Sequence, residues 1–316
     1  MAVFTHVSDQ ELSSFLSQYN DIGYLVKLEG IKGGIENTNY FLHTTKSIYV
    51  LTIFERLNFE QLPFYLSLML HLSKKGICVP KPIENVDDNV LNSLCGKPAI
   101  LVSKLEGISI LEPAADNVKN LAINVAKMHL AGQDFILNQP NLRSLDWWHK
   151  TIPKILPFVS ANIKNLLHSE LAFQDKFFNS SVYNKLPKGA CHCDLFRDNA
   201  LFHDNELSGI FDFYFAGIDT FLFDICVIIN DWCIYRDEEK LGQINISLYQ
   251  AFLQSYQTIR KLTDEENKSI NSMLRAAALR FWVSRLWDCY LPRDSKLLKP
   301  HDPYHFETIL KKRITQ

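Results

Sequence analysis

The sequence of 316 residues lacks the features that mark secreted, membrane or nucleic-acid-binding proteins. Its first residues, MAVFTHVSDQEL, have neither a basic stretch nor an apolar core, so we expect no secretory signal. No run of about 18 apolar residues occurs, because Asp224 and Asp231 interrupt the best candidate, FLFDICVIINDWC. The formal net charge of -2 gives no reason to expect nucleic acid or an anionic membrane as a partner. We interpret the basic cluster Lys311, Lys312 and Arg313 as a solvated helix end, and we expect a soluble, cytoplasmic protein.

Paired cysteines and the common nucleotide-binding motif are also absent. The seven cysteines are scattered without the spacing of a disulfide framework, which predicts free thiols in a reducing compartment. Cys191, His192 and Cys193 are adjacent, but no second pair follows at the spacing of a structural zinc site, so we do not expect metal there. The pattern G-x-x-x-x-G-K-[ST] does not occur, which excludes a Walker-type nucleotide site.

The periodicity of apolar residues divides the chain near residue 105. Before that point, Ser8 followed by Glu11 predicts a helix with a capping box, and β-branched runs predict antiparallel strands. These predicted strands are 23–32, 38–45, 47–54 and 99–107, with a helix at 62–76. The predicted helices after residue 105 are 117–131, 147–178, 221–256 and 264–291. We therefore predict a β-rich lobe at 1–105, a larger helical lobe at 106–316 and a ligand cleft between them.

The segment GACHCDLFRDNALF, at 189–202, combines residue types that phosphoryl transfer requires. Asn199 is the fifth residue after Asp194, and Asp212 follows thirteen residues later at the end of an apolar run. A predicted hairpin turn at Asp204-Asn205 lies between them. In such a site the first Asp takes a proton from the acceptor hydroxyl, while the Asn amide oxygen and the second carboxylate hold Mg²⁺. The alternative is that an isolated acid only caps a helix, but the combined order of the three residues favours the phosphoryl-transfer site.

An ATP pocket is expected from the first lobe. Gly33 and Gly34 lie between two predicted strands, where glycine lets backbone N–H groups approach phosphates. A Gly-Gly pair between strands is more often only a turn. The strand AILVSKLEG leads from one lobe to the other, and its backbone near Ser103 and Leu105 is our candidate for contact with the adenine edge.

Longer stretches of the sequence resemble a known family. GACHCDLFRDNALF followed by GIFDFYFAGIDTFLFDICVIINDW resembles the signature of the aminoglycoside phosphotransferase superfamily, and the match extends to Gly217, Asp219 and Asp224. In that superfamily, an acid at the position of Asp224 braces the catalytic loop. Further segments resemble its homoserine kinase branch: GGIENTNYFL, YVLTIFERL, LPFYLSLMLHLSKKGICVPKPI, FWVSRLWDCYLPRD and KPHDPYHFETIL. The resemblance covers essentially the whole chain.

This resemblance implies an α+β, protein-kinase-like fold of two lobes and transfer of phosphate from ATP to the side-chain hydroxyl of L-homoserine, in threonine biosynthesis. Asp194 is then the catalytic base, and Asn199 and Asp212 are the Mg²⁺ ligands. We expect a small-molecule substrate, no nucleic-acid or membrane partner, and a monomer or weak homodimer. Two alternatives remain open. One is phosphorylation of another small alcohol or amine, such as an aminoglycoside, choline or a thiopentose; the other is a kinase-like binding module without activity.

One position departs from the kinase pattern. Kinase-like folds usually carry a Lys or Arg on the third strand, where it holds the α- and β-phosphates. In YVLTIFE the corresponding residue is Thr52, with Lys46 and Arg56 on either side. Either another cation binds the phosphates, or their binding depends more on Mg²⁺ and the backbone.

Recognition of free homoserine requires partners for a carboxylate and an ammonium group. Arg285 and Asp288 lie three residues apart on one face of a predicted helix, so Arg285 is a candidate for the carboxylate and Asp288 for the ammonium. The alternative is an intrahelical ion pair beside Trp282 and Trp287, which is the more common role of such pairs. Second candidates for substrate contact lie beside the predicted base, at Arg197 and Asp198. We expect His192 to brace its loop rather than to catalyse.

Overall fold

The structure is a computed structural model, and it describes residues 4–31, 37–291 and 301–315. The chain forms two compact units. The first comprises Met1–Gly107 and Ser208–Tyr214, and the second comprises Ile108–Leu207 and Phe215–Gln316. The return of Ser208–Tyr214 to the first unit does not follow from apolar periodicity, which assigned this segment to the helical lobe.

The first unit is built on a five-stranded antiparallel sheet with the strand order β1-β2-β3-β5-β4. Its elements are α1 (Asp9–Leu16), β1 (Leu25–Gly30), β2 (Asn37–Thr44), β3 (Ile48–Phe54), α2 (Pro63–Lys74), β4 (Asn92–Leu94) and β5 (Lys97–Ser103). The predicted capping box is confirmed: Ser8 accepts a hydrogen bond from Glu11 N, and Glu11 Oε2 accepts one from Ser8 N. The helix therefore begins where the sequence predicts.

The core of this unit lies between α1 and the sheet. Leu12 and Phe15 of α1 belong to one buried cluster with Leu42, Leu51 and Leu101, one each from β2, β3 and β5. Residues 98–102 of β5 are all buried, which means that both faces of this central strand are covered. The sheet is therefore a rigid support for the segments attached to it.

The second unit is mainly helical. Its elements are α3 (Ala115–Ala131), α4 (Leu145–Ile155), α5 (Ala161–Phe178), β6 (Lys188–Cys191), β7 (Ala200–His203), β8 (Glu206–Ile210), β9 (Gly217–Thr220), α6 (Phe221–Trp232), α7 (Ile246–Ile259), α8 (Asp264–Tyr290) and α9 (Tyr304–Ile314). The chain passes into the first unit within β8. Two long predicted helices are each divided, because Ser160 and Asn245 cap new helices by accepting hydrogen bonds from Ile163 N and Leu248 N.

Two pairs of short strands frame the segment that the motif analysis selected. β7 and β8 form a hairpin, and the predicted turn is confirmed because Asp204 and Asn205 have φ values of 48° and 65°. β6 and β9 pair antiparallel, with Ala190 opposite Ile218. The sequence analysis missed this second pair, because four residues carry too little alternation to identify a strand.

The interpretation of the C-terminal basic cluster as fully solvated is wrong for one residue. Arg313 is completely buried; its Nε donates to Asn230 Oδ1 at 2.9 Å and its Nη1 donates to Gly242 O at 3.0 Å. Lys311, in contrast, is exposed and pairs with Glu307 at 2.5 Å. Within the described parts of the chain, no helix is both long enough and apolar enough to cross a membrane.

Candidate active site

A loop between β6 and β7 carries Asp194 and Asn199. Asn199 Nδ2 donates to the backbone oxygen of Asp194 at 2.8 Å and lies 3.5 Å from its Oδ2. With its nitrogen directed at Asp194, the amide of Asn199 presents Oδ1 as the atom that can bind a cation. The structure therefore brings together the two residues that their five-residue spacing selected.

The backbone of this loop is hydrogen-bonded to Asp224, near the start of α6. Asp224 Oδ2 accepts a hydrogen bond from His192 N at 2.7 Å, and its Oδ1 accepts one from Cys193 N at 2.6 Å. Cys193 has a φ of 63°, an uncommon conformation for a non-glycine residue, and it immediately precedes Asp194. Two charge-assisted bonds to consecutive N–H groups thus fix the strained turn that presents Asp194.

A buried hydrogen-bond chain keeps Asp224 ionised. His129 Nε2 lies 3.1 Å from Asp224 Oδ2, and His129 Nδ1 lies 2.8 Å from the hydroxyl of Tyr256. Burial raises the pKa of Asp224, but the bond from His129, the electrostatic effects of His129 and His192, and the bond from Cys193 N outweigh it and leave the pKa below its ordinary value. The bracing role that the resemblance implied for Asp224 therefore has a physical basis.

Asp219 stabilises the strand pair beside the loop. Its Oδ2 accepts a hydrogen bond from Asn141 Nδ2 at 2.7 Å, and its Oδ1 accepts one from Thr220 N at 2.6 Å. Burial raises the pKa of Asp219 to about 6, with these hydrogen bonds acting in the opposite direction. Gly217 permits this arrangement, because a Cβ there would lie 2.8 Å from the backbone of Asn141.

The surroundings of residues 191–193 indicate that these side chains stabilise the loop. His192 is buried, and its Nδ1 accepts a hydrogen bond from Asp194 N at 3.3 Å, as expected of a residue that braces the loop. Burial raises the pKa of Cys191 and of Cys193 far above the ordinary thiol value, so both remain neutral thiols. Ligand atoms of Cys191, His129 and Asp224 lie within 4.8 Å of one another, but hydrogen bonds already use the His129 ring and the Asp224 carboxylate.

A buried arginine that the sequence analysis missed lies beside Asp194. Arg280 Nη2 is 3.4 Å from Asp194 Oδ1, and the Arg280 side chain is only 5% exposed. Its guanidinium lies 3.9 Å from the centroid of the Phe281 ring and 5.1 Å from that of Phe215. Nothing local marks Arg280, because it is on α8, far along the chain from the loop that it meets.

Arg197 and Asp198, the predicted substrate residues nearest the base, differ from each other in their surroundings. Arg197 donates from its backbone N and from Nε to Asp231 Oδ2, at 2.9 and 3.1 Å, and from Nη1 to Leu111 O. Asp198 is exposed, and its backbone oxygen accepts a hydrogen bond from Ser109 Oγ at 3.3 Å. Asp231 also binds Arg236, whose Nη2 lies 2.7 Å from Asp231 Oδ1. Arg197 is therefore part of an ion-pair group around the buried carboxylate of Asp231.

Arg285 and Asp288 do not form the intrahelical ion pair considered above. Among the described residues, the contacts of Arg285 are a hydrogen bond from Nη1 to Asp302 O at 3.0 Å and the ring of Phe306, 4.4 Å from its guanidinium carbon. The purely intrahelical interpretation of Arg285 is thus wrong, since both contacts come from outside α8.

Asp212 belongs to the first unit, where it follows β8. Its φ is 66°, so this candidate metal ligand, like the residue before Asp194, has a left-handed backbone. Next to it, the Tyr214 ring contacts Phe54 of β3 and Tyr65 of α2, with centroid distances of 5.0 and 6.2 Å. Ile210 N donates to Cys78 O at 2.8 Å. These contacts fix the segment that carries Asp212 to the first unit.

The remaining nucleotide candidates also lie in the first unit. Thr52 is buried opposite Asn39 of β2 and donates to Asn39 Oδ1 at 2.7 Å, so a neutral pair occupies the position of the usual strand lysine. Ser103 Oγ accepts a hydrogen bond from Lys81 N at 2.9 Å, and Leu105 packs against Gly209. Lys46 pairs with Asp21 at 2.9 Å. Gly33 and Gly34 lie outside the described residues.

Comparisons with known proteins identify related sequences. The model of the phosphotransferase enzyme family matches residues 27–264. The homoserine kinase of Paraburkholderia phytofirmans is 51% identical over 323 aligned positions, which cover 100% of this chain and 96% of that protein. The homoserine kinase of Polaromonas naphthalenivorans is 50% identical, with 99% and 98% covered.

The fold is shared with a solved structure of an amicoumacin kinase in complex with AMP-PNP and Ca²⁺. Its TM-score is 0.72 at 17% identity, over 97% of this chain and 92% of that one. The kinase-like fold predicted from the sequence is thus confirmed, and ATP binding is supported by the family. The match to residues 27–264 and the identity of about half over the whole length lead to one conclusion: the chain belongs to the phosphotransferase enzyme family, in the branch of the homoserine kinases.

Proposed function

We propose that this chain transfers the γ-phosphoryl group of ATP to the side-chain hydroxyl of L-homoserine, giving O-phospho-L-homoserine for threonine biosynthesis. The observation that carries this proposal is the 51% identity to a homoserine kinase across 100% of the chain. The loop that holds Asp194 beside Asn199 supports it, because alcohol phosphorylation needs a base at the attacking hydroxyl. We also propose the cytoplasm as the site of action and a monomer or weak homodimer as the working form.

Asp194 is the proposed base. A carboxylate must be ionised to accept the hydroxyl proton, and the guanidinium of Arg280, 3.4 Å away, stabilises negative charge on it. Asp224 and His192 fix the loop backbone, so the carboxylate is held in one orientation before substrate arrives. Such preorganisation lowers the cost of aligning the hydroxyl for attack.

Asn199 and Asp212 are the proposed ligands of Mg²⁺. Their donor set fits this ion, because an amide oxygen and a carboxylate oxygen are hard ligands, and the nitrogen of Asn199 is directed away to Asp194. Bound Mg²⁺ would neutralise charge on the ATP phosphates. The backbone of Ser103 and Leu105, together with Gly33 and Gly34, remains the proposed contact of the nucleotide.

An assay of ADP release tests the acceptor. Purified protein with Mg²⁺ and ATP is given homoserine, serine, choline and kanamycin separately, and we expect homoserine to have by far the highest kcat/KM. Good turnover of another acceptor with none of homoserine would overturn the proposed substrate. Binding of ATP without turnover of any acceptor would instead support the inactive-module alternative.

A further inference from the structure

Two arginines of the second unit pair with one buried carboxylate, and the charge of that carboxylate also acts on a third arginine. Asp231, whose side chain is 8% exposed, pairs with Arg197 at 3.1 Å and with Arg236 at 2.7 Å. The charge of Asp231 also acts on Arg285 and is the largest charge effect on that side chain after burial. We call these four residues the Asp231 cluster.

Positive charge exceeds negative charge in the Asp231 cluster. Burial lowers the pKa of Arg285 to about 10, so Arg285 remains charged at neutral pH. Among the described residues, no carboxylate lies within 4.0 Å of it, and its partners are a backbone oxygen and an aromatic ring. The cluster thus carries three partly exposed cations and one buried anion, while Asp302 and Asp198 also act on Arg285 from outside the cluster. Partly buried cations that outnumber the carboxylate they are paired with can bind an anion.

The pKa of His305, at the start of α9, is lowered by burial and by the same positive charges. Burial lowers its pKa to about 4, and the next causes are the positive charges of Arg285 and Arg236. His305 is therefore neutral at pH 7. An anion bound among these arginines would offset their charge and favour the protonated imidazole.

The Asp231 cluster is attached to the loop of the proposed base. Arg197 is three residues after Asp194, and its backbone N donates to Asp231. Trp232 Nε1 donates to Leu195 O at 3.1 Å, which fixes the same loop to the end of α6. Four bonds separate the hydroxyl oxygen of homoserine from its carboxylate carbon, a reach of about 5 Å. The cluster therefore adjoins the loop that carries the proposed base, as recognition of a molecule this short requires.

We infer that Arg236 and Arg285 bind the α-carboxylate of the amino-acid substrate, and that Asp231 and Arg197 are positioning residues for this subsite. The inference rests on the proposed function and specifies how it selects an amino acid. Arg197 is assigned a positioning role because Asp231 and Leu111 O already accept from its side chain. A guanidinium pair is suited to a carboxylate, which accepts two parallel N–H donors.

Substrate selectivity provides the first test. Arg236→Gln and Arg285→Gln are compared for homoserine and for 3-aminopropan-1-ol, the same molecule without its carboxylate. We expect kcat/KM for homoserine to fall at least about 30-fold in each variant, while that for 3-aminopropan-1-ol and the KM for ATP change little. Arg285→Lys, which keeps the charge, should recover part of the loss.

Arg275→Gln is the matched control. Arg275 is also on α8 and is also paired and stacked, with Glu170 at 2.6 Å and over the ring of Phe173 at 3.4 Å. We expect this variant to lower Tm and to leave the preference for homoserine over 3-aminopropan-1-ol unchanged. It therefore separates loss of stability from loss of recognition.

A second test measures binding without turnover. The imidazole signal of His305, assigned by comparison with His305→Gln, is titrated by NMR with and without ligand. We expect saturating homoserine to raise the pKa of His305, and 3-aminopropan-1-ol to leave it unchanged, because only homoserine brings an anion. The arginine variants should not show the homoserine-dependent shift.

The outcomes distinguish the inference from the function on which it rests. If the unmodified protein uses homoserine while both glutamine variants keep its preference over 3-aminopropan-1-ol, the inference is overturned and the proposed function stands. If the unmodified protein uses a different alcohol and not homoserine, the proposed function is overturned and the inference with it.

Discussion

At the scale of single residues, Asp194 and Asp212 have different surroundings, so we expect replacement of each one to impair a different part of the reaction. Asp194 adjoins a buried cation and an amide on its own loop, which is the setting of a base. Asp212 has a left-handed backbone after a strand, and its proposed role is that of a metal ligand. Isosteric replacement of each aspartate separates the two roles, because asparagine keeps the shape and removes the charge.

We predict that Asp194→Asn lowers kcat at least roughly a hundredfold, the scale of a lost general base. The KM for ATP should remain close to that of the unmodified protein, because the base acts on the acceptor. Steady-state kinetics at saturating homoserine measures both quantities. A variant that kept most of its kcat would contradict the assignment of Asp194 as base.

The sequence identified residues of this site only where they are close together in the chain. Asp194 and Asn199 were predictable because a fixed spacing on one loop carries their relation. Arg280 was not, because its contact with Asp194 joins a helix and a loop that are distant in sequence. Arg313 was misinterpreted for the same reason, since only the packing of α9 shows that its guanidinium reaches Asn230.

At the scale of elements, the paired strands β6 and β9 support the loop of the candidate site. Strands of four residues have no clear sequence signal. β9 places Asp219 in a buried position where its carboxylate is hydrogen-bonded. Buried acids with a raised pKa make stability depend on pH. The contribution of Asp219 to the free energy of unfolding should therefore change with pH in a direction that can be measured.

We predict that replacing Asp219 by asparagine changes the pH dependence of stability. The pKa of Asp219 is about 6 in the folded protein and its ordinary value is 3.8, so the folded chain binds more protons between these values. The contribution of Asp219 to the free energy of unfolding therefore falls as pH rises through this window, by about 3 kcal/mol. The free energy of unfolding of the unmodified protein, minus that of Asp219→Asn, should therefore be larger near pH 4 than near pH 7.

Chemical denaturation of both proteins at several pH values measures this difference. Asp87→Asn, changed at an exposed turn of the first unit, controls for the loss of one negative charge. A difference between the unmodified protein and Asp219→Asn that stayed constant from pH 4 to pH 7, or that changed in the opposite direction, would show that Asp219 is not buried as described.

At the scale of the whole molecule, the two proposed metal ligands are assigned to different compact units. Asn199 belongs to the second unit, and Asp212 belongs to the first through the segment Ser208–Tyr214. The sequence predicted two lobes because strands give way to helices near residue 105. It did not predict the return of this segment, because a short apolar run after a hairpin does not show which core it joins.

The last prediction concerns stabilisation of the whole chain by its nucleotide. A ligand that binds only the folded protein adds about 2.7 kcal/mol to the free energy of unfolding at a hundred times its Kd. For a chain of this size, we expect ATP with Mg²⁺ at that concentration to raise Tm by roughly 4 °C. ATP with EDTA should give a clearly smaller rise, because the metal ion no longer connects the phosphates to the protein.

Two variants assign this stabilisation to the metal ligand. Asp212→Asn should lose the part of the Tm rise that depends on Mg²⁺, whereas Asp194→Asn should keep it. Thermal melts of each protein with no ligand, with ATP and EDTA, and with ATP and Mg²⁺ measure the three states. Equal losses in both variants would contradict the separation of roles, because a base that acts on the acceptor has no reason to hold the metal and the nucleotide.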